Sequence, residues 1–179
     1  MADPVDHLQT VGDLVQDLRA LGLAPVLVGG MALVVLGSRR VTRDFDFVIA
    51  HPGDRLARTL DRFYDRGLEL ASRLNQAGDV IATITDRNVA ALRLRLDAPA
   101  SAYFFNVETG LRVDLLFDFP IPAATLAEHA MRITIRTLVF DVASEPDLLR
   151  LKTIAQRARS APGDAEDIAL LEGRRKRPQ

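Results

Sequence analysis

The chain has 179 residues, 48% of them apolar, with 23 Lys and Arg against 24 Asp and Glu for a net charge of −1. That near balance excludes a chain-wide basic field for nucleic acid and an acidic disordered protein, and the length is that of one domain with ample material for a core. The absence of cysteine excludes disulfides, Cys-ligated zinc and Cys nucleophiles, and His7, His51 and His129 are too scattered for a His-rich metal site.

The apolar stretch 24–37 is shorter than the roughly 18 residues a bilayer span needs, so no membrane association is expected. The N-terminus Met-Ala-Asp-Pro-Val-Asp is acidic and lacks the basic start and apolar middle of a signal peptide. A soluble cytoplasmic protein is the expectation. Its chemistry must rest on carboxylates, Lys, Arg and backbone.

In chain order, Asp3-Pro4 opens a helix over 4–21, with Leu8, Val11, Val15 and Leu18 at helical spacing, Leu14 and Leu21 widening the stripe, and Gly22 as its stop. A short buried strand follows at 26–28. Gly29-Gly30 breaks it, and a buried helix runs over 31–36 to Gly37. Residues 44–50 read as a strand ended by Pro52-Gly53, after which Asp54 caps a helix to about Asp65. Residues 67–88 give no clear pattern. Segments 89–96, 102–107 and 111–117 read as strands, with Thr109-Gly110 turning the last two. In the first of these, Arg93 and Arg95 alternate with leucines as on an amphipathic strand.

Residues 119–122 form an irregular connector, and 133–142 shows strand-like alternation. Ser144 with Asp147 makes a capping-box start for a helix over 145–159, which 161–163 ends. Asp164 and Asp167 cap a last helix through Leu171. The Arg174–Arg177 run reads as a basic, solvated tail, with a tether to RNA as its weaker reading. His129 has no partner in sequence and reads as structural or solvent-facing. The expected organisation is a single domain: helix 4–21, core 24–142, C-terminal helices 145–172 and tail 173–179. The expected class is α/β (α+β), a short mixed sheet flanked by helices with a C-terminal helical pair.

The chemistry concentrates between residues 26 and 49. A strand runs into Gly29-Gly30, where the backbone can approach a ligand closely and the next helix presents unpaired N–H groups, an arrangement suited to phosphate. Downstream, Asp44 and Asp46 lie on one face of a strand, because side chains alternate, with Phe45 and Phe47 on the other. Such paired carboxylates repel unless a cation sits between them, and Mg²⁺ commonly does so together with substrate phosphates. On the strand at 111–117, Asp114 faces outward and would join the pair if the strands are neighbours; Asp118 competes for the role, but Asp114 has apolar residues on both sides. Three carboxylates opposite a glycine turn can hold two metals for nucleotidyl or phosphoryl transfer.

Gly29-Gly30-Met31-Ala32-Leu33 followed by Arg40-Val41-Thr42-Arg43-Asp44-Phe45-Asp46-Phe47 resembles the nucleotidyltransferase superfamily typified by DNA polymerase β, and within it the AbiEii-type and related minimal bacterial and archaeal members. Leu151-Lys152 and the segment 163–168 resemble a late Lys and Asp-x-x-Asp-Ile pattern of that group. The resemblance implies the nucleotidyltransferase fold and an NMP transfer from an NTP, ATP foremost, to a hydroxyl of a protein, an RNA or a small molecule.

It implies that Gly29 and Gly30 cradle phosphates. Asp44, Asp46 and Asp114 would be the catalytic metal ligands for Mg²⁺, with Mn²⁺ as a substitute. Arg40, Thr42, Arg43 and Lys152 would be nucleotide-binding. Many catalytic members carry Ser where Gly30 stands. The kinship therefore also implies a second class, a toxin–antitoxin or regulatory component that binds a cognate partner with weak or lost catalysis. A glycosyltransferase, whose Asp-x-Asp also holds a metal, ranks low because the chain is short and the glycine turn has no role there.

Overall fold

The computed structural model describes residues 4–158 and 164–176. Helix α1 (Pro4–Ala20) leads to β1 (Val26–Val28), α2 (Gly29–Val35) and β2 (Asp44–Ile49). A 3-10 turn (Gly53–Arg55), α3 (Leu56–Tyr64), the strands β3 (Glu69–Leu74) and β4 (Val80–Ile84), and α4 (Arg87–Asp97) come next. The strands β5 (Ser101–Phe105) and β6 (Arg112–Phe117), α5 (Ala123–His129), the strands β7 (Met131–Ile135) and β8 (Leu138–Val142), α6 (Glu145–Ala158) and α7 (Asp164–Arg175) complete it.

All the described strands form one eight-stranded sheet in the order β4-β3-β5-β6-β2-β1-β8-β7. It is mixed, as expected: β1–β8 and β2–β6 are parallel and the other pairs antiparallel. The class is therefore α/β, with a sheet longer than the short one expected. No described helix is long and apolar enough to cross a membrane.

The core follows from the alternation of the strands and the stripe of α1. Val11, Leu14, Val15 and Leu18 of α1 are buried with Phe47 of β2, Phe104 of β5 and Phe140 of β8. Phe63 of α3 stacks on Phe104 with ring centroids 4.0 Å apart. Gly22, at φ +75, ends α1 as expected, and the Leu23 N–H donates back to the Leu18 carbonyl at 2.9 Å.

The structure corrects several local readings. Segment 89–96 is no strand but lies within α4, and Arg93 pairs with Asp97 one helical turn on. Asp86 caps this helix, accepting from the Asn88 and Val89 N–H groups at 2.8 and 3.3 Å, and Ala90, Ala91 and Leu94 form its inward face. The Leu-Arg alternation imitates period two, but an N-cap and good helix formers decide the matter and leave Val89, Leu92 and Leu96 exposed. Residues 67–88 hold the β3–β4 hairpin, whose two irregularities of register broke the alternation. Its turn is built by Asn75 Oδ1, which accepts from the Ala77 and Asp79 N–H groups, both at 2.9 Å.

The alternating stretch at 133–142 is two strands, β7 and β8, turned at Arg136 with φ +59. Helix α5 had no sequence forecast; Asp118 starts it by accepting from the Ala123 N–H at 2.9 Å. Asp54 sits in the 3-10 turn and caps nothing by its side chain. The basic run is not a free tail over its first half. Helix α7 extends to Arg175, and Arg174 donates to the Leu36 carbonyl at 2.5 Å and pairs with Glu145 at 3.0 Å. The expected cap at Asp3, the helix end at 159–163 and the residues from Arg177 onward lie outside the described residues.

Replacing Phe63 by Ala removes a fully buried ring stacked on Phe104, and is expected to cost about 3–5 kcal/mol in urea unfolding. Leu96→Ala, at a position 74% exposed on α4, is expected to change stability by less than about 0.5 kcal/mol. A large loss at Leu96 would place that segment in the core and contradict the helix assignment.

Candidate active site

β1 delivers the chain to Gly29, which starts α2 at φ +69. A Cβ on Gly29 would fall 2.2 Å from Asp46 Oδ2, so only glycine fits between the turn and that carboxylate. β1 and β2 are antiparallel with Val28 opposite Asp46, which places the acid beside the turn. At Gly30 a Cβ would meet Thr42 Cγ2 at 3.4 Å and the Arg40 guanidinium at 3.5 Å. Arg40 and Thr42 thus flank the glycine turn at Gly30.

The parallel register of β2 and β6 pairs Asp44 with Arg112 and Asp46 with Asp114. Asp46 and Asp114 therefore project from neighbouring strands on one face, with Asp44 one alternation along. Asp118 lies past the end of β6, at φ +49, and its oxygens accept from the His51 and Ala123 N–H groups. It is a turn-forming residue, and Asp114 is the acid in register.

Burial, and then the charges of Asp114 and Asp44, push the Asp46 carboxyl up to about 7, against a partial counter-pull from Lys152 and Arg112. Asp114 is raised as well, first by burial, while Arg112 pulls it back. Arg112 grips Asp114 with both arms of its fork, Nε to Oδ1 at 2.8 Å and Nη2 to Oδ2 at 2.9 Å. Its third arm donates to the Gly78 carbonyl in the β3–β4 turn at 2.7 Å, and its Cζ lies 4.9 Å from the ring centre of Tyr103. Tyr103 is opposite Asp114 across β5 and β6.

Lys152 is only 14% exposed and is bracketed by Asp164 at 3.2 Å and Asp167 at 3.0 Å. Asp167 also pairs with Arg40. Both acids are buried, and Asp164 Oδ2 has no hydrogen-bond partner. The forecast of a simple cap pair at the start of α7 understates them: they draw two cations of the candidate set together. Arg43 stands exposed just before β2. His129 lies 3.5 Å from Asp147 in the first turn of α6.

The donor set suits a hard divalent cation. Three carboxylates share one face, burial and then their mutual repulsion raise Asp46, and two basic side chains offset this only in part. Yet no three His, Asp or Glu side chains among the described residues already converge as a metal cluster. Both oxygens of Asp114 are held by Arg112 instead.

No protein-family model matches the chain, and neither does any curated protein. Solved structures do. An antigenic nucleotidyltransferase-like protein from Paracoccidioides brasiliensis aligns over 93% of this chain and 75% of its own, at 19% identity and a TM-score of 0.58. The lincosamide antibiotic adenylyltransferase LnuA, solved with lincomycin bound, aligns over 93% and 95%, at 12% identity and 0.57. The antibiotic-resistance factor ANT(2'')-Ia aligns over 94% and 84%, at 11% identity and 0.58. The chain has the nucleotidyltransferase fold.

Arg112 was missed from sequence although its signature was there: an arginine two residues before an acid on a strand shares that acid's face. Tyr103 was not legible, because its place depends on the β5–β6 register.

The raised Asp46 fixes a pH dependence for the metal-free protein. Folded Asp46 keeps its proton up to about pH 7, whereas the unfolded chain releases it near 3.8. The native state binds more protons between these values, so this group's stabilisation is present at low pH and lost as pH rises through 7. Asp46→Asn is expected to raise the melting temperature at pH 8 more than at pH 5, measured in chelator. An equal shift at both pH values would contradict a raised Asp46.

Proposed function

We propose that this protein transfers a nucleoside monophosphate from an NTP to a hydroxyl acceptor and releases pyrophosphate. The observation that carries this reading is the register of Asp46 with Asp114, side by side on β2 and β6 and directly behind Gly29. The fold shared with LnuA and ANT(2'')-Ia supports it, and the adenylyl transfer in LnuA's name favours ATP as donor and a small molecule as acceptor.

Each residue then has a part. The backbone at Gly29 and Gly30 holds the β and γ phosphates, since no side chain there blocks the approach. Arg40, Thr42 and Arg43 lie on the loop from that turn to β2 and contact the triphosphate, with Lys152 held behind them by Asp164 and Asp167. Asp44, Asp46 and Asp114 would hold Mg²⁺ or, in its place, Mn²⁺. When bound, the metal neutralises phosphate charge and makes the acceptor hydroxyl easier to ionise. The hydroxyl oxygen bonds to the α-phosphorus, its proton leaves, and the bond to pyrophosphate breaks. The chain's contribution is position and charge, with no covalent intermediate.

The rival reading, a partner-binding toxin–antitoxin or regulatory component, has Gly30 as its motive. The surroundings of Gly30 admit a side chain at ordinary contact distance, so Gly30→Ser is expected to be tolerated and to raise transfer by supplying a hydroxyl to phosphate. Transfer of label from α-³²P-ATP is expected to fall by at least ~100-fold in Asp44→Ala and in Asp46→Ala. Undiminished transfer in either variant, with the fold intact by circular dichroism, would overturn the enzymatic reading.

A further inference from the structure

We infer that Arg112 is a positioning residue that competes with the divalent cation for the chelating side of Asp114 and weakens metal binding there. This deepens the proposed nucleotidyl transfer and rests on that reading. Arg112 occupies both carboxylate oxygens of Asp114, at 2.8 and 2.9 Å, and Asp114 is the acid in register with Asp46. The planar fork takes one of the two acceptor sites on each oxygen and fills the side on which a cation would chelate both oxygens at once. The absence of a converged three-carboxylate cluster among the described residues accords with this grip.

Arg112 is also anchored away from the acids. It donates to the Gly78 carbonyl at 2.7 Å and lies over Tyr103 with 4.9 Å from Cζ to ring centre. Gly78 belongs to the turn that Asn75 braces through the Ala77 and Asp79 N–H groups. The guanidinium therefore has a resting place on the Tyr103 ring and the hairpin turn that survives loss of the Asp114 contact. Releasing Asp114 costs it one bidentate pair and does not strand a buried charge. Metal loading at the acidic row is thereby tied through Arg112 to the β3–β4 turn and to the Tyr103 ring.

Tyr103 offers a direct readout. The chain contains no tryptophan and two tyrosines, and the other, Tyr64, donates its hydroxyl to the Ile84 carbonyl at 2.6 Å away from the acidic row. In a Tyr64→Phe background, all tyrosine emission reports on Tyr103 and the cation beside it. Titration with Mg²⁺ alone is expected to change this emission saturably, and Asp114→Asn is expected to abolish the change.

Arg112→Met is expected to bind Mg²⁺ about tenfold more tightly by calorimetry and to show no emission change. Arg112→Lys, which keeps the charge but loses the fork, is expected to fall between the two and guards against a variant that fails to fold. Equal Mg²⁺ affinity in wild type, Arg112→Lys and Arg112→Met, or weaker affinity without Arg112, would overturn the competition while leaving the transferase reading intact. Failure of wild type to bind Mg²⁺ with or without a nucleotide would instead remove that reading.

Discussion

The structure depends on the cost of keeping Asp44, Asp46 and Asp114 together on one face of the sheet. Carboxylates on adjacent strands repel, and partial burial strengthens the repulsion by removing water. Asp46 is raised first by its burial and then by Asp114 and Asp44, against a partial pull from Lys152 and Arg112. A protein that placed three acids there without use would gain stability by losing any one of them. Asp46 and Asp114 stand in register behind a glycine whose Cβ would collide with Asp46, an arrangement whose repulsion a bound cation would relieve.

The remaining polar architecture follows from that strain. Arg112 neutralises Asp114 from the β5 side, and Lys152 acts on Asp46 from the C-terminal helices. Lys152 in turn is largely enclosed and needs its own partners, which α7 provides in Asp164 and Asp167. Asp167 reaches on to Arg40 beside the glycine turn, and Arg174 ties the far end of α7 to Leu36 and Glu145. Helix α7 is thus bound to the loop between α2 and β2 by charge at one end and by a backbone carbonyl at the other. Alternating acids and bases run from the sheet to the last helix, and the loop between α2 and β2 lies in the middle.

Much of this was legible in the sequence because it rests on local rules. The glycine turn, the alternation of β2 and the stripe of α1 are properties of short windows. What was not legible depends on distant pairing. The partnership of Lys152 with Asp164 and Asp167 needs α6 and α7 to pack together, and a capping pattern explains the same acids equally well from sequence. The position of Tyr103 needs the β5–β6 register. The mistaken strand at 89–96 shows a local rule defeated by another: leucine–arginine alternation gave period two, and the Asp86 cap with two inward alanines made a helix. The β3–β4 hairpin stayed hidden because its register shifts disturb the alternation on which strand recognition depends.

The central claim is that the acidic row exists to hold a metal–nucleotide complex against the glycine turn. Calorimetric titration with a non-hydrolysable ATP analogue, with and without Mg²⁺, on wild type and Asp46→Ala, tests it most directly. The account predicts saturable binding that requires Mg²⁺ and disappears in the variant. Binding that is indifferent to Mg²⁺ and to Asp46, or no binding under any condition, would contradict it.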